Sequence, residues 1–306
     1  MQQLLILYLA CAWTLCAGSG DWCYQSEFSC DHQCNVPENW DHASKNCAGR
    51  DQSPINIVTR KTVKDDRLTP LKFQNYQHIF RGLIKNNGHS VQIGISHPST
   101  ISGGGLSTTY KAVQFHLHWG SNGGPGSEHT IDGEQYPMEL HIVHMKSQYN
   151  DLPTALRDRE GVAVLGFFYE TSNSPNRKYE TFINALRNIK SAHGNTTLSP
   201  IALAELIPPE QNMTSYFRYR GSLTTPDCSE SVVWTVFENP IPLSMNQLKA
   251  FSELRFQNGK PLVKNFRPLQ PLNGRVVFRS AGAAVLISSS LLMVALALVL
   301  ELSQPN

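Results

Sequence analysis

The chain has 306 residues and an almost balanced charge, 26 basic against 24 acidic side chains, which gives no electrostatic case for a nucleic-acid partner or an acidic lipid surface. Hydrophobic residues make up 41% of the chain and charged residues 16%, which excludes a disordered chain and can supply a sizeable core. No linker rich in proline, glycine or serine divides the middle of the sequence, so we expect one folded domain.

The sequence begins with an apolar segment of the length found in secretory leaders. Residues 4–15 are largely apolar and are followed by the small residues Cys16, Ala17, Gly18 and Ser19. Signal peptidase requires small residues at its cleavage site, so residues 1–18 are predicted to be a signal peptide. A buried first helix or strand is the alternative, since no positive side chain precedes the apolar segment.

The pattern of apolar residues predicts many strands and few helices. Runs rich in Val, Ile, Phe or Trp, alternating or continuously apolar, predict strands at residues 90–96, 111–119, 138–144, 162–169 and 231–237. A helical face is formed by Tyr179, Phe182, Ile183, Leu186 and Ile189. The segment 244–247, Ser-Met-Asn-Gln, is typical of a capping box at the start of a second helix. We therefore predict a mainly β (α+β) single domain over residues 21–279, with a large twisted, mostly antiparallel central sheet and a few peripheral helices.

One predicted strand carries two histidines at alternating positions. Side chains of a strand alternate between its faces, so Gln114, His116 and His118 share one face and the apolar residues between them share the other. A rigid strand with imidazoles on one face and a hydrophobic anchor on the other is suited to holding a metal. Two ordinary histidines are the alternative, because an isolated His-x-His pair is a weak signal.

The next predicted strand supplies a third histidine. Glu139 and His141 share one face of it, whereas His144 lies on the other and is more typical of a core histidine. Three histidines with an open fourth position are the ligand set of a catalytic zinc site. Gln114 and Glu139 each precede a candidate ligand by two residues, so we expect them to bind its second ring nitrogen.

The C-terminal segment is apolar again. Residues 281–300 are largely apolar, and Ser280, Ala281, Gly282 and Ala283 at the start of this segment are small. Small residues before an apolar tail are typical of a glycosylphosphatidylinositol (GPI) signal, so residues 280–306 are predicted to be one, with Ser280 as the attachment site. About 20 apolar residues would also span a bilayer, and a single transmembrane helix is the alternative. The absence of Lys or Arg after the tail argues against a span with a cytoplasmic end.

Several motifs share an order and spacing that occur together in one enzyme family. They are Gln-Phe-His-Leu-His-Trp-Gly at 114–120, Ser-Glu-His at 127–129, Glu-Leu-His-Ile-Val-His at 139–144, Ser-Pro-Ile-Asn-Ile at 53–57, Asn-Asn-Gly-His-Ser at 86–90, Gly-Ser-Leu-Thr-Thr-Pro at 221–226 and Asn-Phe-Arg-Pro at 265–268. On these motifs the chain resembles the α-class carbonic anhydrases over residues 22–279. It is most similar to their GPI-anchored, type IV-like members, because Trp22-Cys23, Cys34, Cys47, Cys228 and Ser280 match the arrangement in those enzymes.

The resemblance implies reversible hydration of carbon dioxide to bicarbonate and a proton at the extracellular face of the plasma membrane. The cofactor would be Zn2+ on His116, His118 and His141, and zinc-bound hydroxide would attack carbon dioxide. His89 would export the proton as a shuttle, since imidazole titrates near neutral pH.

The resemblance also implies the residues around the substrate. Thr224 would accept a hydrogen bond from the hydroxide and donate one to Glu128. Thr224 and Thr225 would form the anion-binding edge of the pocket. Opposite them an apolar wall for carbon dioxide would consist of Val143, Val164, Leu223, Val232 and Trp234.

Cysteines and glycosylation triplets agree with secretion. The resemblance implies disulfides among Cys23, Cys34, Cys47 and Cys228, which leaves the state of Cys30 open. A bridge from Cys47 to Cys228 would contribute about 4–5 kcal/mol through loop-closure entropy. Asn195 and Asn212 each begin an N-glycosylation triplet.

Two other functions remain open from the sequence. A carbonic-anhydrase-like domain that serves only as a binding module would differ in zinc retention, and a zinc esterase could also use a metal hydroxide. The His-Glu-x-x-His motif of metalloproteases is absent from the sequence. Expected partners are the small substrates carbon dioxide, bicarbonate and water, the membrane through a GPI anchor, and bicarbonate or proton transporters.

Overall fold

The structure, a computed structural model, describes residues 21–29 and 34–282. The predicted signal peptide, Cys30 and the predicted anchor signal beyond residue 282 lie outside the described residues. No helix in the described part of the chain is long and apolar enough to cross a membrane.

Strands dominate the described residues, which form fifteen of them. In chain order they are β1 (Asn56–Ile57), β2 (Val63–Lys64), β3 (Leu71–Gln74), β4 (Phe80–Asn86), β5 (Val91–Gly94), β6 (Thr100–Gly103), β7 (Tyr110–Trp119), β8 (Thr130–Ile131), β9 (Glu134–Gln135), β10 (Met138–Lys146), β11 (Val162–Ser172), β12 (Asn195–Ile201), β13 (Tyr216–Gly221), β14 (Val232–Ser244) and β15 (Phe278–Arg279).

Twelve of these strands of the described chain form one central sheet. The strand order along its main path is β12-β4-β5-β7-β10-β11-β14-β13-β15-β2. Off this path, β6 pairs with β7, and β3 pairs with β6. Within it β11–β14 and β15–β2 are parallel, and the other pairs are antiparallel. A small second sheet contains β1, β8 and β9. The prediction of a mainly β single domain with a large, twisted and mostly antiparallel sheet is confirmed.

The strands at the centre of the sheet are close to those predicted, but β14 is longer. The predicted strand stopped at Phe237, because the polar residues Glu238 and Asn239 and then Pro240 follow it. In the structure Phe237 pairs with Phe167 and Ile241 pairs with Tyr169, so three residues of β14 bulge opposite one residue of β11. A bulge accommodates Pro240, which has no N–H to donate, and the strand then resumes.

Five short α-helices lie outside the sheet in the described residues: α1 (Trp40–Ala43), α2 (Leu152–Ala155), α3 (Glu180–Leu186), α4 (Leu203–Leu206) and α5 (Met245–Phe251). Single 3-10 turns occur at Pro37–Asn39, Lys45–Ala48, Thr59–Lys61, Arg177–Tyr179 and Glu210–Asn212. Both predicted helices are present. The capping box at α5 forms as expected, because Ser244 accepts from the backbone of Gln247 and the Gln247 side chain accepts from the backbone of Ser244.

Two disulfides fasten the N-terminal segment. They join Cys23 to Cys34 and Cys47 to Cys228. The second bridge connects residues 181 positions apart and ties the segment before β1 to the loop between β13 and β14. That loop carries Thr224 and Thr225, so the bridge restrains the part of the chain that faces the candidate site.

Candidate metal centre

Three imidazoles meet on one face of the central sheet. His116 and His118 lie two residues apart on β7, and His141 of β10 pairs directly opposite His116. One ring nitrogen from each lies within 4.8 Å of those of the other two. The ring centroids are 4.6 to 5.2 Å apart. Leu117, between the two histidines of β7, is buried in the core on the other face, so the two-residue repeat of the strand brings the histidines to one side.

Each of the three rings is held through one nitrogen and keeps the other for a ligand. Gln114, predicted from its spacing, binds the first ring, and Glu139, predicted in the same way, binds the third. The donated hydrogen bonds are His116 Nδ1 to Gln114 Oε1 at 2.9 Å, His118 Nδ1 to the backbone oxygen of Asn265 at 2.7 Å and His141 Nε2 to Glu139 Oε1 at 2.7 Å. These bonds fix the tautomers so that the remaining nitrogens are bare acceptors.

Glu139 is a fully buried carboxylate that accepts four hydrogen bonds. Its Oε2 accepts from the backbone N–H groups of Glu128 and His129, both at 2.8 Å. Its Oε1 accepts from His129 Nδ1 and His141 Nε2, both at 2.7 Å. Burial raises the pKa of Glu139, but the two imidazoles outweigh it and hold that pKa well below its usual range. Glu139 is therefore an anion that orients His141.

A second trio, His129, Glu139 and His141, also brings possible ligand atoms within 4.8 Å. These atoms are engaged with one another, and the other ring nitrogen of His129 lies 2.6 Å from the Tyr219 hydroxyl. By contrast, His118 Nε2 is buried without a hydrogen-bond partner among the described residues. The unsatisfied nitrogen favours the trio of His116, His118 and His141 as the metal site, because buried polar atoms are rarely left without a partner.

The electrostatics of the trio fit a metal ion. Burial lowers the pKa of all three imidazoles, to about 4 for His118, so neutral rings prevail near pH 7. Neutral imidazole is the form that coordinates metals. Glu128 Oε2, also buried without a hydrogen-bond partner among the described residues, lies 3.4 Å from His118 Nε2 and 3.9 Å from His141 Nδ1. Three neutral imidazoles can hold a metal ion, and three histidine ligands leave the fourth position of a tetrahedral site open.

Thr224, which the resemblance implies as a donor to Glu128, lies near enough to affect the pKa of that carboxyl. Burial raises the pKa of Glu128 to about 7, although His141, the Thr224 hydroxyl and the backbone N–H of Arg267 act in the opposite direction. The Arg267 N–H donates to Glu128 Oε1 at 2.8 Å. Thr224 is buried, and the neighbouring Thr225 is half-buried.

The residues of the expected apolar wall form one surface beside the histidines. Val143 of β10 pairs with Val164 of β11, which pairs with Trp234 of β14, and the Trp234 ring centroid is 4.8 Å from that of His141. Val232 and these three residues are buried in one cluster, and Leu223 packs against it partly exposed. The wall thus continues the histidine-bearing face of the sheet.

His89 lies in the turn between β4 and β5 with 31% of its side chain exposed. Its ring stacks on Trp22 with centroids 3.9 Å apart, and its Nδ1 lies 3.8 Å from Glu27 Oε2. The Asn265 amide donates to the backbone oxygen of His89, and the backbone oxygen of the same asparagine accepts from His118. None of the roles of Trp22, Glu27 and Asn265 was predicted from the sequence. Trp22 and Asn265 lay in recognisable motifs, whereas nothing in the sequence singled out Glu27.

Comparison with known proteins agrees with this geometry. A family model described as eukaryotic-type carbonic anhydrase matches residues 35–281. The chain is 40% identical to carbonic anhydrase 4 of Rattus norvegicus over 292 residues, which cover 94% of each chain. It is 42% identical to carbonic anhydrase 4 of Oryctolagus cuniculus over 269 residues, 87% of this chain and 86% of the rabbit protein. It is 38% identical to carbonic anhydrase 15 of Mus musculus over 288 residues, 90% of this chain and 87% of the mouse protein.

Proposed function

Because the chain belongs to the eukaryotic-type carbonic anhydrase family and is a carbonate dehydratase, we propose that it hydrates carbon dioxide with Zn2+ held by His116, His118 and His141. Bound Zn2+ lowers the pKa of a coordinated water to about 7, a value known from carbonic anhydrase itself, and so supplies a nucleophile at neutral pH. The convergence of three imidazoles, each already bonded through its other nitrogen, carries this proposal.

The chain contributes the orientation of the nucleophile. In this proposal the Thr224 hydroxyl donates a hydrogen bond to Glu128, whose pKa Thr224 lowers, so that the Thr224 oxygen can act only as an acceptor. A hydrogen bond accepted from the nucleophile would aim the nucleophile's lone pair at the substrate. Glu128 is itself held by the backbone of Arg267, which keeps its carboxylate in place.

Carbon dioxide has no charge and no hydrogen-bond donor, so an apolar surface suits it better than it suits water. The wall of Val143, Val164, Leu223, Val232 and Trp234 supplies that surface. The backbone at Thr224 and Thr225 would bind the anionic product at the edge of the same pocket.

Proton export is assigned to His89. An imidazole has an ordinary pKa of about 6.5, close to the pH at which the proton must leave. Partial exposure of the ring supports this role, because the acceptor must reach both the interior of the site and bulk water.

Secretion and membrane anchoring are supported by three features. The described cysteines form two disulfides, which are typical of extracellular proteins. Asn195 and Asn212 are exposed, as acceptors of N-glycans must be. Ser280 is still tied to the sheet, because its N–H donates to the Tyr216 oxygen and its hydroxyl to the Thr214 oxygen. A GPI anchor at Ser280 would therefore hold the enzyme close to the extracellular face of the membrane.

The test is zinc content and carbon dioxide hydration measured on the same purified samples. His118→Ala should lose both together, and His42→Ala, which changes an exposed histidine, should keep both. One zinc per chain in the His118→Ala protein would refute the ligand assignment. Zinc retention without hydration in the unaltered protein would refute the proposed reaction.

A further inference from the structure

The proposed mechanism leaves one buried carboxylate beside His89 without a task. The side chain of Glu27 is only 3% exposed, and its Oε2 lies 3.8 Å from His89 Nδ1. It belongs to the loop closed by the disulfide between Cys23 and Cys34, in a turn where the Glu27 N–H donates to the Tyr24 oxygen. A buried acid costs free energy that an apolar residue would not, so its position beside the imidazole calls for a functional reason.

Trp22 fixes the plane of the His89 ring but not its orientation within that plane. The two rings stack with centroids 3.9 Å apart and planes 17° apart. A half-turn of the imidazole about its bond to Cβ exchanges the sides of Nδ1 and Nε2 while the same plane stays against the indole. Stacking alone therefore allows two ring orientations.

A carboxylate on one side of the ring distinguishes these orientations. We propose that Glu27 is a positioning residue that holds Nδ1 of His89 on its own side and leaves Nε2 to exchange protons with the active site and solvent. The inference rests on the proposed shuttle role of His89. At 3.8 Å the contact is an electrostatic attraction rather than a hydrogen bond, so it is strongest when the imidazole carries a proton.

The charges around Glu27 allow this role at neutral pH. Burial raises the pKa of Glu27 to about 7, while a backbone hydrogen bond from Tyr24 and the charge of Lys260 act against the rise. Lys260 also donates to the backbone oxygen of Phe28, which keeps it near the turn. Besides His89, the titratable groups of the described residues that face Glu27 are Lys260 and Tyr24. Glu27 thus ionises in the same pH range as an ordinary imidazole.

Loss of the carboxylate should slow proton export without affecting the chemical step. The proton leaves after bicarbonate is released, so its rate enters kcat but not kcat/KM for carbon dioxide. A half-buried ion pair biases two orientations by about fivefold, so Glu27→Gln should lower kcat in dilute buffer by about two- to fivefold. Free imidazole in the buffer should restore kcat, because it accepts the proton in place of His89.

The experiment compares variants of the full-length zinc enzyme. Ser26→Ala is the matched control, because Ser26 anchors the same turn by donating to the Val263 oxygen at 2.6 Å but leaves the carboxylate intact. We expect Ser26→Ala to keep kcat and Glu27→Gln to keep zinc content and kcat/KM. Glu27→Asp keeps the charge but moves the carboxylate away from the imidazole, because its side chain is one methylene shorter, so it should lower kcat less. This variant replaces Glu27→Gln in the test if Glu27→Gln does not fold. In the double variant with His89→Ala, Glu27→Gln should add no further loss.

Three results would overturn the inference: an unchanged kcat in Glu27→Gln, an equal loss in kcat and kcat/KM, or an additive loss in the double variant. Failure of the shuttle assignment has a different signature. If His89→Ala alone keeps full kcat in dilute buffer, His89 is not the shuttle and the role of Glu27 falls with it. If His89→Ala is slow and Glu27→Gln is not, only the role of Glu27 is refuted.

Discussion

Replacing Glu139 by glutamine tests whether the hydrogen bonds behind the histidines hold the metal ligands. The carboxylate accepts from four donors, two on each oxygen. Glutamine keeps one acceptor oxygen and puts an NH2 group, itself a donor, at the other position. Whichever way the amide turns, two of the four donors lose their acceptor.

The size of the effect follows from burial. Glu139 is fully buried, and a buried donor without an acceptor costs about 1–3 kcal/mol. Two such donors should lower the free energy of unfolding by about 2–6 kcal/mol. Loss of a group that orients a metal ligand typically lowers metal affinity by about 10- to 100-fold, and we expect Glu139→Gln to weaken zinc binding in this range.

Two assays measure these effects. Urea unfolding of the zinc-free protein gives the stability, and competition with a chelator gives the zinc affinity. Glu238→Gln is the control, because it makes the same chemical change at an exposed carboxylate in the bulge of β14. A Glu139→Gln protein within twofold of the unaltered zinc affinity would show that these hydrogen bonds do not hold the ligands.

Three further changes should have distinct effects. Cys228→Ser removes the disulfide that joins residues 181 positions apart and should lower the free energy of unfolding in urea by about 2–5 kcal/mol. Unchanged stability would argue against a structural role for this disulfide. Gly166→Ala would place a Cβ 3.2 Å from Glu139 Oε1 and should weaken zinc binding by about threefold in chelator competition. An unaltered zinc affinity would mean that the carboxylate has room to move. Burial lowers the pKa of His144 to about 4, below the value of about 6.5 for an unfolded chain, so its contribution to stability is complete above pH 6.5 and is lost as the pH falls towards 4. Urea unfolding of the zinc-free protein should then depend less on pH between 6.5 and 4 in His144→Asn than in the unaltered chain, and equal dependence would contradict this account.

Strand periodicity was sufficient to predict which side chains share a face. His116 and His118 lie two residues apart on β7, and Glu139 and His141 lie two residues apart on β10. The structure places these side chains on one face, because every second side chain of a strand points to the same face. The same local rule predicted that Gln114 and Glu139 would reach the second nitrogens of their neighbours.

Contacts between distant segments could not be predicted in this way. The His118 ring is oriented by the backbone oxygen of Asn265, which is 147 positions away in the sequence. Glu27 meets His89 only because the N-terminal loop packs beside the turn between β4 and β5. The course of β14 past Phe237 likewise depends on its parallel partner β11, which lets Pro240 bulge out of the ladder. Tertiary packing decides each of these features.

Titration of the zinc-free protein with Zn2+, followed by carbon dioxide hydration, tests the central claim most directly. Hydration should be absent at the start, rise in proportion to added zinc and reach its maximum at one Zn2+ per chain. Full hydration by the zinc-free protein, or a maximum reached equally by the His118→Ala variant, would contradict a metal centre built on His116, His118 and His141.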